Sequence, residues 1–100
     1  MRRLIILAAY LVASLSASDA APGARIRVYA GCDSGLIAVD AQQGIRVGSV
    51  DGEGLGQTVD LAIAADAWPG LRRVVVRCGD VQALLPLTVR GGYVVWVPMP

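Results

Sequence analysis

Arg25-Ile26-Arg27-Val28-Tyr29-Ala30-Gly31-Cys32 is the stretch on which the fold turns. Ile26, Val28, Ala30 and Cys32 alternate with Arg25, Arg27 and Tyr29, and a period of two puts each set on its own face of a β-strand. Leu71–Cys78 repeats the pattern, with Val74, Val76 and Cys78 on one face and Leu71, Arg73, Val75 and Arg77 on the other. In both stretches the cysteine ends the strand on the apolar face. A disulfide between Cys32 and Cys78 inside the core is the simplest structure that satisfies both parities, and the chain has no other cysteine.

Outward from these two strands, turn residues divide the chain into further short ones. Leu36–Asp40 follows Asp33-Ser34-Gly35, and Ile45–Val50 follows Gln42-Gln43-Gly44. Asp51–Gln57, with glycine at 52, 54 and 56, reads as a flexible loop. In Thr58–Ala65 the strict alternation of Val59, Leu61, Ile63 and Ala65 favours a strand, while the alanines and Asp60 as a cap leave a short helix ending before Pro69 as the alternative. Trp68-Pro69-Gly70 then turns the chain, with Trp68 read as a plug for that loop and a contact residue as the alternative. Leu84–Arg90, Gly91-Gly92 and Tyr93–Pro98 read as a hairpin with a two-residue turn. Leu87, Val89, Val94 and Trp96 face inward in it; Pro86, Thr88, Arg90, Tyr93, Val95 and Val97 face outward. Pro86 has no amide hydrogen to donate, which places this hairpin at a sheet edge.

About seven short strands separated by turn signals imply an all-β single domain, either a β-sandwich of immunoglobulin-like architecture or a small barrel. The strand-end cysteines resemble the inter-sheet bridge of immunoglobulin-like domains. The resemblance is architectural, since no tryptophan follows soon after Cys32 and Val76 stands where those domains carry a tyrosine two residues before the second cysteine.

The N-terminus has the three-part layout of a secretory leader: Arg2-Arg3, the apolar run Leu4–Leu15, and the small-residue stretch Ser16-Ala17-Ser18-Asp19-Ala20. As a helix the apolar run covers about 18 Å, short of a hydrocarbon core about 30 Å thick. Cleavage after Ala20 divides the chain into a signal peptide, 1–20, and a disulfide-stapled β domain, 21–100. The expected location is therefore exported, periplasmic or secreted, where cysteines pair. Tyr29-Ala30-Gly31-Cys32 offers lipid attachment at Cys32 as the rival reading. Pro22-Gly23 and two arginines separate it from the apolar run, however, and lipidation would leave Cys78 without its partner.

Residues 21–100 carry seven arginines and seven acids, and the chain has neither histidine nor lysine. Charge balance removes nucleic acid as an expected partner. Without histidine or lysine there is no base to activate Ser34, Ser49, Thr58 or Thr88, and with the cysteines paired no zinc set remains. No catalytic residue, metal or cofactor is expected, and the chain reads as a non-enzyme. Arg25, Arg27, Tyr29, Arg73 and Arg77 form a basic strip if their strands are neighbours in one sheet, and two separate patches if the disulfide joins two sheets. With the outer hairpin residues Tyr93, Val95 and Val97, they are the candidate partner-binding set. The function expected is a small exported binding or inhibitor module acting on a protein partner, with a structural component of a cell-envelope or secretion assembly as the alternative.

Overall fold

The structure, a computed structural model, describes residues 11–33 and 35–91. In chain order its strands are β1 (Leu11–Leu15), β2 (Asp19–Ala20), β3 (Arg25–Cys32), β4 (Ala38–Ala41), β5 (Ile45–Glu53), β6 (Gly56–Ile63), β7 (Gly70–Cys78) and β8 (Val81–Val89). They form two four-stranded sheets, ordered β1-β3-β6-β5 and β2-β8-β7-β4. This is the immunoglobulin-like order, with the first strand split so that β1 serves one sheet and β2 the other. The domain is an all-β sandwich with one disulfide.

Alternation builds the core. Val28, Val59 and Leu61 from the first sheet meet Val74, Val76, Leu87 and Val89 from the second, all essentially without solvent exposure. Cys32 on β3 and Cys78 on β7 join the sheets with their Cα atoms 5.6 Å apart. Both are fully buried, as their strand parity requires.

Residues 58–63 lie in β6, which settles the choice between strand and helix there. The expected loop at 51–57 is instead the tip of a hairpin: β5 and β6 stay paired up to Glu53↔Gly56, leaving only Gly54-Leu55 as the turn. Gly54 has φ 60° at the first turn position, the geometry that glycine supplies to a type II′ turn. Gly52 is more constrained, with φ +90° and a position where a Cβ would stand 2.1 Å from the Gly56 carbonyl oxygen. Gly52→Ala is therefore expected to cost about 2 kcal/mol or more, read as a lower urea midpoint with loss of β5–β6 amide protection.

One other expectation is corrected, and the residues of the expected leader have a place in the fold. Trp68 does not plug its loop; it is 81% exposed. Ala67 packs against the core in its place, and Arg72 Nη2 donates to the Trp68 carbonyl at 2.6 Å, fixing the backbone with the indole turned outward. Residues 11–20, assigned above to the leader, are built into the sandwich. β1 runs antiparallel to β3 from Leu11↔Cys32 to Leu15↔Val28, and β2 runs parallel to β8 at Asp19↔Thr88 and Ala20↔Val89. The described fold thus begins upstream of residue 21.

Among the described residues Pro86 has no strand paired on its amide side, which suits its missing amide proton, although β8 as a whole lies between β2 and β7. The Thr88 and Arg90 amides donate to the carbonyls of Ser18 and Ala20, so the even-numbered amides of β8 point away from β7. Pro86 belongs to that set, beyond the short reach of β2. The second half of the expected hairpin, Tyr93–Pro98, lies outside the described residues.

Candidate interaction surfaces

The disulfide joins two sheets, and this decides the fate of the arginines. Arg25, Arg27 and Tyr29 project from the outer face of the β3 sheet, whereas Arg73 and Arg77 project from the outer face of the β7 sheet. The sandwich stands between them, so the single basic strip does not form. Each patch is also partly neutralised. Arg27 Nε donates to Asp60 Oδ1 at 2.8 Å, and Arg77 Nη1 donates to Asp40 Oδ2. Asp60 raises the Arg27 pKa, first by that hydrogen bond and then by Coulomb attraction, which keeps the exposed guanidinium charged. Exposed pairs of this kind contribute little to stability. Tyr93, Val95 and Val97 lie outside the described residues.

One polar side chain is buried among the described residues, and it was read above as part of a loop. Gln57 is 1% exposed at the start of β6. Its Oε1 accepts the Ile37 amide at 2.8 Å, while its Nε2 donates to the carbonyls of Gly35 at 2.9 Å and Gly54 at 2.8 Å. One side chain thereby ties the β3–β4 connection to the β5–β6 turn. The signal for it was available: Gln57, Val59, Leu61 and Ile63 share one parity, so extending β6 by a single pair of residues places Gln57 inside.

Two shallow grooves among the described residues carry exposed apolar side chains. The first, about 470 Å³, lies on the outer face of the β3 sheet between Val12, Tyr29, Leu55 and Thr58. Its floor is Gly31, where a Cβ would come within 3.2 Å of Leu55, so the absence of a side chain lets the hairpin tip fold over β3. Gly31→Val is expected to push Leu55 off β3, lowering the melting temperature by about 5 °C or more in a thermal scan. The second groove, about 760 Å³, lies between Gln42, Gly44, Asp66, Trp68, Leu71 and Arg72. Arg72 Nε donates to the Gln43 carbonyl at 3.0 Å, and the Arg73 amide donates to Gln42 Oε1 at 2.8 Å. Together with the Arg72 bond to Trp68, these lock the two loops flanking β7 into one surface. Trp68 and Leu71 stand out from it at 81% and 66% exposure, beside the end of β8.

Among the described residues, no cluster of three or more His, Cys, Asp or Glu side chains is placed to hold a metal ion. No helix there is long and apolar enough to cross a membrane.

No protein-family model matches the chain, and no curated protein matches it in sequence. A solved structure does: the crystal structure of domains 4 and 5 of the S-layer protein SbsC, at a TM-score of 0.55 and 19% identity. The likeness covers 84% of this chain and 54% of the other, so the chain spans about half the length of that two-domain structure. At this identity the likeness is one of fold, and it is a β-domain fold of an S-layer protein that the chain is similar to.

Proposed function

We propose that the chain is a non-catalytic, disulfide-stapled module of an extracytoplasmic cell-envelope assembly, and that it works through protein–protein contact. The observation that carries this reading is the sandwich itself, whose solved neighbour is a pair of domains from an S-layer protein. A buried disulfide between the sheets suits an oxidising compartment outside the cytoplasm. The absence of histidine and lysine from the whole chain supports a role without catalysis.

Within this reading the contact surface is the end carrying Trp68 and Leu71. An exposed tryptophan beside an exposed leucine is the kind of anchor that dominates protein interfaces, and Arg72 holds its backbone in place in advance. The test is sedimentation of the full oxidised chain over a range of concentrations, alongside Trp68→Ser. Concentration-dependent association that weakens by about 30-fold in the variant is the expected result, corresponding to a hot-spot loss of about 2 kcal/mol. Association unchanged by the substitution would remove Trp68 from the contact.

A second reading, a discrete binding or inhibitor module, is favoured by the groove under Tyr29. Tyr29, Val12 and Leu55 are 46%, 51% and 67% exposed around it, an apolar rim on an otherwise polar sheet face. A chain that stays monomeric at every concentration, and binds a soluble protein in a manner lost with Tyr29→Ser, would select this reading.

A further inference from the structure

We infer that residues 11–20 stay in the working protein as strands of the domain, so that any leader cleavage falls before Leu11 and not after Ala20. This concerns processing and does not depend on the proposed function. The leader reading rests on composition, an apolar run followed by small residues, and composition is blind to direction. The structure adds direction. Leu11, Ala13 and Leu15 pack against the core, while Val12 and Ser14 face solvent. A hydrophobic leader has no inside and outside, but a strand does.

The small residues that look like a cleavage box have individual tasks. Ser16 donates its amide to the Arg27 carbonyl at 2.8 Å and accepts the Arg27 amide on its Oγ at 2.9 Å, ending the β1–β3 ladder. Ala17 packs against the core as the chain crosses from one sheet to the other. The Ser18 and Ala20 carbonyls accept the Thr88 and Arg90 amides at 3.0 and 2.8 Å. Ala20 itself is 2% exposed and pairs with Val89, so the bond expected to be cut lies at a buried residue. Once the domain is folded this bond no longer lies in an extended, accessible chain, so folding that precedes cleavage withholds it from a peptidase. Cleavage there would strip β3 and β8 of one neighbour each and open one edge of both sheets at once.

Two substitutions in the full oxidised chain separate the readings. Ala13→Asp and Val12→Asp each place one carboxylate in the same apolar run, so a leader role treats them alike. A retained strand does not: Ala13→Asp is expected to lower the melting temperature by about 10 °C or more, and Val12→Asp by no more than about 3 °C. Equal effects would overturn the inference. The second measurement is the intact mass of the protein recovered from outside the cytoplasm of an expressing bacterium. A species that keeps residues 11–20 agrees with it, and a folded, disulfide-bonded species beginning at Ala21 sinks it.

Discussion

Replacing Cys32 and Cys78 together by alanine is expected to lower the free energy of unfolding by about 4 kcal/mol, seen as a large drop in the urea midpoint with a steeper slope, because the unfolded chain without the cross-link exposes more surface. The bridge closes a sequence separation of 46 residues. A loop that long restricts the unfolded chain considerably, and the logarithmic dependence gives about 4 kcal/mol in the chain-entropy model. Net stabilities of small domains are about 5–15 kcal/mol, so the bridge is a large fraction of the whole. Both sulfurs are fully buried, and the alanine pair also leaves a void between the sheets. A double variant that melts within about 3 °C of the parent chain would show that packing alone holds the sheets together.

The second large effect is at Gln57, where Gln57→Leu is expected to cost about 2–3 kcal/mol despite being more apolar and close in size. Leucine gains burial energy, but it leaves the Ile37 amide and the Gly35 carbonyl without their side-chain partner at a site where Ile37 is 4% exposed. The orphaned amide of buried Ile37 costs about 1–3 kcal/mol and the carbonyl of the exposed Gly35 adds less, and together they outweigh the gain. Gly54 is less affected because its carbonyl also accepts the Cys32 amide at 2.9 Å. Gln57→Glu refines the test. One oxygen would still accept from Ile37, but the other would face the carbonyls of Gly35 and Gly54, which favours the protonated acid. The folded pKa of the introduced glutamate is then raised above its unfolded value of about 4.3. Its stability is therefore fully present below that value and falls as pH rises through the raised pKa. Urea midpoints across pH that decline in Gln57→Glu, against a parent chain that does not share the decline, are the expected result.

Period-two alternation was enough to locate β3, β6 and β7, because each buries one face and exposes the other. It also put both cysteines on the inner face. It failed where another signal competed for the same residues. Glycines at 52, 54 and 56 read as a loop, yet glycine is also what a tight II′ hairpin requires, and β5 and β6 remain paired to its tip. Leu11–Leu15 lies inside a longer apolar run, so its alternation was masked by apolar neighbours that belong to the leader pattern. Trp68 was read as a loop plug because large aromatic side chains carry much burial energy, but the core of valines, alanines, three isoleucines, two leucines and the disulfide closes without it. The two arginine groups could not be placed relative to one another at all, since residue parity fixes the face within a sheet and not which sheet a strand joins.

The parallel alignment of β2 with β8 has a mechanical consequence. Tension applied through the two ends of the chain pulls these strands past each other lengthwise, so the Ser18–Thr88 and Ala20–Arg90 hydrogen bonds are loaded together in shear and do not open one after another. If they give way, extension stops at the cross-link, because the segment between Cys32 and Cys78 is closed on itself. At about 3.4 Å per residue, roughly 150 Å of potential length is withheld from stretching. Reduction would release that length, so the redox state sets how far the domain can extend under load.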